Sequence, residues 1–161
     1  MPSDDYNEPR DAENDERDTA QADEEHTDTD QPEEGVTFAS LGLPDEILAA
    51  ITDMGFRVPT PIQAAAIPPL LELRDVVGIA QTGTGKTAAF GLPLLAIVDA
   101  DERDVQALVL APTRELAMQS AQAIEDFAAC TARLDVVPVY GGSPYGPQIG
   151  ALKRGAQVVV G

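Results

Sequence analysis

The chain has 161 residues, of which 28 are acidic and 10 are basic, for a net charge of -18. It begins without a basic and then apolar leader, and no apolar run approaches the ~20 residues that span a bilayer. One cysteine, Cys130, and one histidine, His26, exclude internal disulfides, histidine-rich metal sites and Ser-His-Asp catalysis. We therefore expect a cytoplasmic protein with no membrane partner, in which any nucleic-acid binding comes from local groups.

Most of the negative charge lies at the N-terminus, where residues 1–37 carry 15 acidic and 2 basic side chains. Residues 1–35 also have almost no apolar side chains, so they cannot offset the entropy cost of ordering. We assign residues 1–36 to a disordered acidic tail and residues 37–161 to an ordered domain. The tail is interpreted as a solubilising segment. A role in binding protein partners or repelling nucleic acid stays open, because no residue selects a partner.

The ordered part begins with two predicted helices. Apolar residues recur at helical spacing after Pro44, which predicts a helix from Asp45 to about Met54 that stops at Gly55. A rigid turn with two prolines follows, and then a short apolar helix from Ile62 to Leu71.

From residue 75 onward, predicted strands and helices alternate. The strands are Asp75–Ala80, Val105–Ala111, Leu134–Tyr140 and Ala156–Val160, and the helices are Lys86–Val98, Arg114–Ala129 and Pro147–Lys153. Strands that are apolar throughout and alternate with helices indicate an α/β fold with a parallel sheet covered on both faces. Ligands of such folds bind at the carboxyl ends of the strands.

The sequence AQTGTGKT, residues 80–87, lies between a predicted strand and a predicted helix, where a phosphate-binding loop belongs. Its glycines let successive backbone N–H groups point at phosphate oxygens, beside the positive end of the helix. Lys86 would neutralise these oxygens, and Thr87 would be a ligand of Mg²⁺. The pattern predicts a phosphate and Mg²⁺ site formed by Gln81, Thr82, Gly83, Thr84, Gly85, Lys86 and Thr87, and by itself it does not select the base of the nucleotide. The alternative is a chance glycine-rich turn, and Ala80 departs from the general pattern, which begins with glycine.

Four segments in order resemble the DEAD-box RNA helicase family. The first is Gly55–Gln63, which is similar to the family's Q motif; with Phe38 upstream, we assign the whole motif to residues 36–64. The second is AQTGTGKT, which begins with the alanine that is usual in the family. The third is Pro112–Ala117 (PTRELA), similar to motif Ia, and the fourth is Gly141-Gly142, similar to the GG motif. The resemblance extends from Phe38 to Gly161. It implies a partial RecA-like P-loop domain that uses ATP and binds RNA.

Within the Q-motif resemblance, Gln63 is the expected adenine reader. Its amide can accept from adenine N6 and donate to N7, a pattern that guanine does not present. Phe56 offers a ring on which the base can stack, and Thr60 is close enough in sequence to help position the loop. The alternative for Gln63 is an ordinary polar residue in the first turn of a helix.

The RNA-backbone contacts implied by the resemblance are Pro112, Thr113 and Arg114, together with Gly141 and Gly142. A helix N-terminus with threonine and arginine can bind phosphate, and glycines allow close approach of a ligand. The alternatives are an arginine that only forms surface ion pairs with Glu115, and an ordinary loop after a strand.

No predicted strand ends in the acidic residue that ATP hydrolysis requires, so no catalytic residue is assigned. In the family, a TPGR segment, the DEAD carboxylates and a second RecA-like domain follow, and we interpret the chain as a fragment of an ATP-dependent RNA helicase. One alternative is a stand-alone nucleotide- or RNA-binding module without catalysis, with an exposed sheet edge at residues 156–161. Another is a different P-loop ATPase, such as a DNA helicase, which Gly55–Gln63 and PTRELA disfavour.

Overall fold

A computed structural model of the chain describes residues 35–129 and 134–161. The predicted acidic tail, apart from Gly35 and Val36, lies outside the described residues, and so does Cys130. Among the residues that are described, no helix is long and apolar enough to cross a membrane.

Three short parallel strands form the sheet in the part of the chain that the structure describes. They are β1 (Ala107–Val109), β2 (Val136–Pro138) and β3 (Val158–Val160), in the spatial order β1-β3-β2. In register, Leu108 and Val137 both lie opposite Val159. The segment at residues 156–161 is therefore the centre of this sheet. The expectation of an exposed edge there is wrong, because β1 and β2 pair with its two sides.

The predicted strands are longer than the observed ones, but backbone hydrogen bonds continue beyond β1 and β3. Gln106 N donates to Gln157 O at 2.8 Å, and Gly161 N donates to Val109 O at 2.9 Å. Val158 and Val160 are completely buried, as expected for a central parallel strand.

The predicted strand at residues 75–80 is wrong. This segment forms no ladder in the part of the chain that the structure describes, and Val77 and Ile79 are 93% and 95% exposed. The apolar pattern is that of a strand, but a strand exists only through pairing. In the described ranges, β1 pairs only with β3. The residues of β1 line an open, mostly apolar cleft of about 700 Å³, together with Leu73 and Phe90. Leu108 on β1 is correspondingly 62% exposed, so the sheet is not covered on both faces there.

Five α-helices lie within the described ranges: α1 (Asp45–Asp53), α2 (Pro61–Leu71), α3 (Lys86–Ile97), α4 (Arg114–Ala128) and α5 (Tyr145–Lys153). A 3₁₀ turn at Phe38–Leu41 precedes them. Each α-helix confirms a predicted one to within a residue or two at its ends. Gly55 follows α1 with φ +88°, the left-handed conformation that ends helices.

The core joins the N-terminal segment to the helices that carry the site. Phe56 stands between Phe38 and Phe127, with ring centroids 5.9 Å from each and both pairs edge to face. Edge-to-face pairs are favourable beyond the area that they bury. Because Phe127 belongs to α4 and Phe38 to the 3₁₀ turn, these contacts fix the Phe56 segment against the domain.

Candidate nucleotide and RNA site

The loop at residues 81–85 has the backbone that a phosphate cradle requires. Gly83 and Gly85 have φ +86° and +85°, the left-handed conformation that side chains other than glycine rarely adopt. A Cβ on Gly83 would have no atom within 4 Å, so the backbone there faces open space. The loop leads directly into α3, whose first N–H groups have no partner within the helix. These features fit a bound polyphosphate.

The side chains of the loop are accessible or nearly so. Gln81, Thr82 and Lys86 are exposed, and Thr84 and Thr87 are half-buried. The Lys86 ammonium donates to the carbonyl oxygens of Ala80 and Gln81, and Thr84 Oγ1 donates to Gln81 O at 2.8 Å. These hydrogen bonds from Lys86 stabilise the loop in this conformation. They also place the ammonium group beside Ala80, the last residue of the segment 75–80.

Two side chains at the N-terminus of α2 also hydrogen-bond to backbone carbonyl groups of this loop. Thr60 Oγ1 donates to Thr84 O at 2.8 Å, and Gln63 Nε2 donates to Gly85 O at 3.2 Å. Gln63 Oε1 also accepts from Thr60 N at 2.9 Å, the contact that a glutamine at the third helical position makes in a capping box. The expectation for Thr60 concerned its own segment next to Gln63, and the hydrogen bond from its hydroxyl joins that segment to the phosphate loop as well.

Gln63 is a polar residue in the first turn of α2 that caps this helix, as the alternative interpretation of its role expects. It also contacts the phosphate loop. The residue is 2% exposed, and its amide joins the first turn of α2 to the loop. A Cβ on Gly85 would collide with Gln63 Nε2, so the Gln63 amide would have to shift, and the positive φ of Gly85 separately favours glycine. Each amide atom of glutamine can form two hydrogen bonds, so the two contacts described here use one on each atom.

Residues 112–114 follow β1 and open α4. Thr113 Oγ1 accepts from Leu116 N at 3.3 Å and so caps the helix. Arg114 Nε donates to Glu115 Oε1 at 2.6 Å, and this hydrogen bond lowers the pKa of the Glu115 carboxyl and raises that of Arg114. Both side chains are exposed. The surface ion pair considered as an alternative exists, and it occupies one edge of the guanidinium.

The Gly141-Gly142 loop follows β2 and lies beside Arg114. Gly142 has φ +87°, and a Cβ on it would lie 3.9 Å from Arg114 Nη1. Because β1 and β2 are both parallel to β3, their carboxyl ends meet at one edge of the sheet. The structure thus brings together the arginine and the glycines predicted to contact RNA.

Sequence reasoning did not assign a role to Gln148 on α5. It is 8% exposed, and its Nε2 donates to Tyr140 O and Ser143 O, each at 3.3 Å. In the sequence, Gln148 is a glutamine in a predicted helix, seven residues after the first of the two glycines. Such a pattern is too common to indicate a functional residue.

Nothing in the described ranges supplies a catalytic acid at a strand end. The residues that follow β1, β2 and β3 are Leu110, Val139 and Gly161. Within those same ranges, no group of three histidine, cysteine, aspartate or glutamate residues could hold a metal ion. Thr87, in the first turn of α3, is the residue with a hydroxyl suited to a loop-bound Mg²⁺.

A parallel α/β sheet with a phosphate loop opening a helix defines a P-loop protein with a RecA-like domain. Residues 60–161 match the family model of the DEAD/DEAH box helicase. The chain belongs to this family.

Relatives agree with this assignment. An ATP-dependent RNA helicase DeaD from Haemophilus influenzae is 56% identical over 126 residues, which is 78% of this chain and 21% of that protein. The DeaD helicase of Mycobacterium tuberculosis is 55% identical over 125 residues, covering 78% and 22% of the two chains. The chain thus spans about a fifth of the length of these relatives.

Solved structures show the same fold. A DEAD box protein from Methanococcus jannaschii superposes with a TM-score of 0.73 at 43% identity, over 78% of this chain and 34% of that one. The Dbp5 protein of S. cerevisiae, bound to RNA and ADP BeF3, gives a TM-score of 0.68 at 38% identity, over 78% and 31%.

Proposed function

We propose that this chain is part of an ATP-dependent RNA helicase, in which residues 37–161 form an incomplete first RecA-like domain that binds ATP·Mg²⁺ and part of the RNA backbone. The observation that carries the proposal is the pair of hydrogen bonds from Thr60 and Gln63 to the phosphate loop. They join a base-reading segment to a phosphate-reading segment, as a nucleotide that spans both would require. The names of the relatives support RNA as the polymer.

In this proposal the nucleotide contacts are divided between the two segments. Gln63 offers one free amide hydrogen and one free lone pair to the adenine edge, and Phe56, half-buried, offers its ring. The loop amides of residues 82–86 receive the phosphates, and the Lys86 ammonium exchanges its carbonyl partners for phosphate oxygens. The Thr87 hydroxyl would be a ligand of Mg²⁺, which would supply charge neutralisation when bound.

RNA is proposed to lie along the edge formed by Pro112, Thr113, Arg114, Gly141 and Gly142. Arg114 keeps its Nη groups for phosphate while Glu115 holds its Nε. Such contacts fix the position of the strand and carry no sequence information. Binding at this edge should therefore be insensitive to RNA sequence and sensitive to salt.

The test is RNA-stimulated ATP hydrolysis and duplex unwinding by the full-length protein. We expect Lys86→Ala to abolish both activities, and Lys153→Ala, the other lysine of the chain, to leave them unchanged. We expect ATP to be preferred over GTP and DNA not to replace RNA. Equal activity with DNA would favour a different P-loop ATPase, and hydrolysis insensitive to Lys86→Ala would refute the assigned site.

A second candidate concerns the 161-residue chain taken alone, which would be a nucleotide-binding module without catalysis. It is favoured because, in the described residues, no acidic residue follows β1, β2 or β3. We expect this chain to hydrolyse no ATP. Turnover by purified 1–161 that disappears in Lys86→Ala would contradict this expectation.

We also propose that the protein works in the cytoplasm and that the tail at residues 1–36 is available to protein partners. The excess of acidic residues in the tail supports the part of the proposal that concerns protein partners. Removing residues 1–34 should leave ATP affinity unchanged and should weaken the binding of any basic partner that is captured with the intact protein.

A further inference from the structure

We propose that Gln148 is a positioning residue for RNA: its side-chain amide holds the Gly141-Gly142 loop beside Arg114, so that loop and guanidinium contact the same stretch of RNA backbone. The inference rests on the proposed function and adds to it a residue that has no place in the motifs.

The side-chain amide of Gln148 ties the two ends of the glycine loop together. Nε2 donates to Tyr140 O, just before the glycines, and to Ser143 O, just after them, each at 3.3 Å. A primary amide has two N–H groups, so one nitrogen can satisfy both carbonyl oxygens. Two adjacent glycines have more backbone freedom than any other pair, and a tie across them limits that freedom.

The burial pattern of α5 is inverted around this residue. Gln148 is 8% exposed, whereas Ile149 and Leu152 on the same helix are 47% and 36% exposed. Leu152 lies on the same face as Gln148, one turn later, and yet it is more exposed than the glutamine; a helix that packed for hydrophobic burial alone would bury the leucine at least as deeply. A departure from that pattern at a buried polar residue whose amide nitrogen makes two hydrogen bonds is typical of a functional position.

The loop that Gln148 holds lies against the predicted RNA contact of another segment. A Cβ on Gly142 would lie 3.9 Å from Arg114 Nη1, and Gly141, Gly142 and Arg114 are all exposed. Their separation decides whether one backbone can touch both. Because Arg114 is fixed at the start of α4, the position of the loop is the variable that Gln148 sets.

Gln157 provides a matched control in the same chain. It is 3% exposed, its Oε1 accepts from Asp135 N at 3.0 Å, and its Nε2 donates to Ala100 O at 3.2 Å. It therefore ties loops as Gln148 does. Asp135 precedes β2, so this tie lies at the amino edge of the sheet, opposite the glycine loop.

The experiment compares Gln148→Met with Gln157→Met in the full-length protein. Methionine keeps the length of the side chain and removes the amide. For each variant, the Kd of a single-stranded RNA is measured at several salt concentrations, together with the Kd of ATP. We expect Gln148→Met to raise the RNA Kd about tenfold and to reduce the salt slope by about one, while ATP affinity stays constant. Gln157→Met should leave RNA affinity and the slope unchanged.

The inference is overturned if the wild type binds RNA and Gln148→Met binds it with the same Kd and slope, or if Gln157→Met causes the same loss. If Gln148→Met does not fold, Gln148→Asn replaces it. Asparagine keeps the amide but is one methylene shorter and cannot reach both carbonyl oxygens, so a smaller rise in the RNA Kd is expected and no rise refutes the inference. A wild type that does not bind RNA refutes the proposed function itself, which is a separate result.

Discussion

Gln63 Nε2 donates to Gly85 O across 3.2 Å, and this bond makes a residue expected to read adenine a support of the phosphate loop. Gln63→Glu keeps the oxygen that accepts from Thr60 N and replaces the donor with a second acceptor facing Gly85 O. We expect ATP affinity to fall about tenfold or more, since a lost hydrogen bond and a repulsive pair add.

Inorganic triphosphate separates the two roles of Gln63, because it has phosphates and no base. If Gln63 positions the loop, Gln63→Glu weakens triphosphate binding along with ATP binding. Unchanged triphosphate affinity beside weakened ATP affinity would mean that the residue acts on adenine alone.

Gly85 and Gly83 form a natural pair for measuring a steric contact. Their φ angles are +85° and +86°, so alanine at either position has about the same backbone cost, roughly 1–2 kcal/mol. A new Cβ meets Gln63 at residue 85 and open space at residue 83. We expect Gly85→Ala to lower the Tm more than Gly83→Ala.

A double-mutant cycle identifies the collision partner of that Cβ. Gly85→Ala combined with Gln63→Ala should be less destabilising than the sum of the two single changes, because the second removes the atom that the first strikes. Additive effects would show that the excess cost at residue 85 has another source.

Thr113 caps α4 through its hydroxyl, which accepts from Leu116 N. We expect Thr113→Ala to cost about 1 kcal/mol of stability and Thr113→Ser to cost much less, since serine keeps the acceptor. Chemical unfolding of the three proteins measures this. Equal losses in alanine and serine would assign the effect to the threonine methyl group.

Glu125 on α4 lies at the cleft between α4, β2 and α5, where partial desolvation, and then the neighbouring Asp126, raise the pKa of its carboxyl. A folded-state pKa above the unfolded value means that folding binds a proton, so this group stabilises the protein less as pH rises through that interval. We expect Glu125→Gln to raise the Tm at pH 7 and to have no effect below the ordinary pKa of glutamate. Glu102→Gln, on the loop before β1, is the control for the loss of one negative charge. An equal gain from both variants would indicate general charge repulsion.

The helices and the phosphate loop were predictable from sequence because their signals are local. Gly55 ends α1, Thr60 and Gln63 begin α2, and Gly85 with Lys86 begins α3; each acts within a turn of its own position. Sheet order was not predictable in this way. The apolar run at 156–160 looks like any other buried strand, and only its pairing shows that it is central.

The segment 75–80 shows the limit most clearly. Its pattern predicts a buried strand, yet burial depends on a neighbour that no local rule supplies. The hydrogen bonds from Gln63 to Gly85 and from Gln148 to the glycine loop were not predicted, for a similar reason. They join residues 22 apart in one case and opposite ends of a loop in the other, and sequence spacing alone does not indicate which of a side chain's possible partners it meets.

Among the described residues, the segment 75–80 pairs with no strand, and it leads directly into the phosphate loop. The Lys86 ammonium donates to Ala80 O and Gln81 O and so holds the end of this segment to the loop. Because the proposed function has this ammonium exchange the two carbonyl oxygens for phosphate, a bound nucleotide would release the end of residues 75–80. By thermodynamic linkage, any contact that fixes this segment would change nucleotide affinity by the same factor as nucleotide changes that contact.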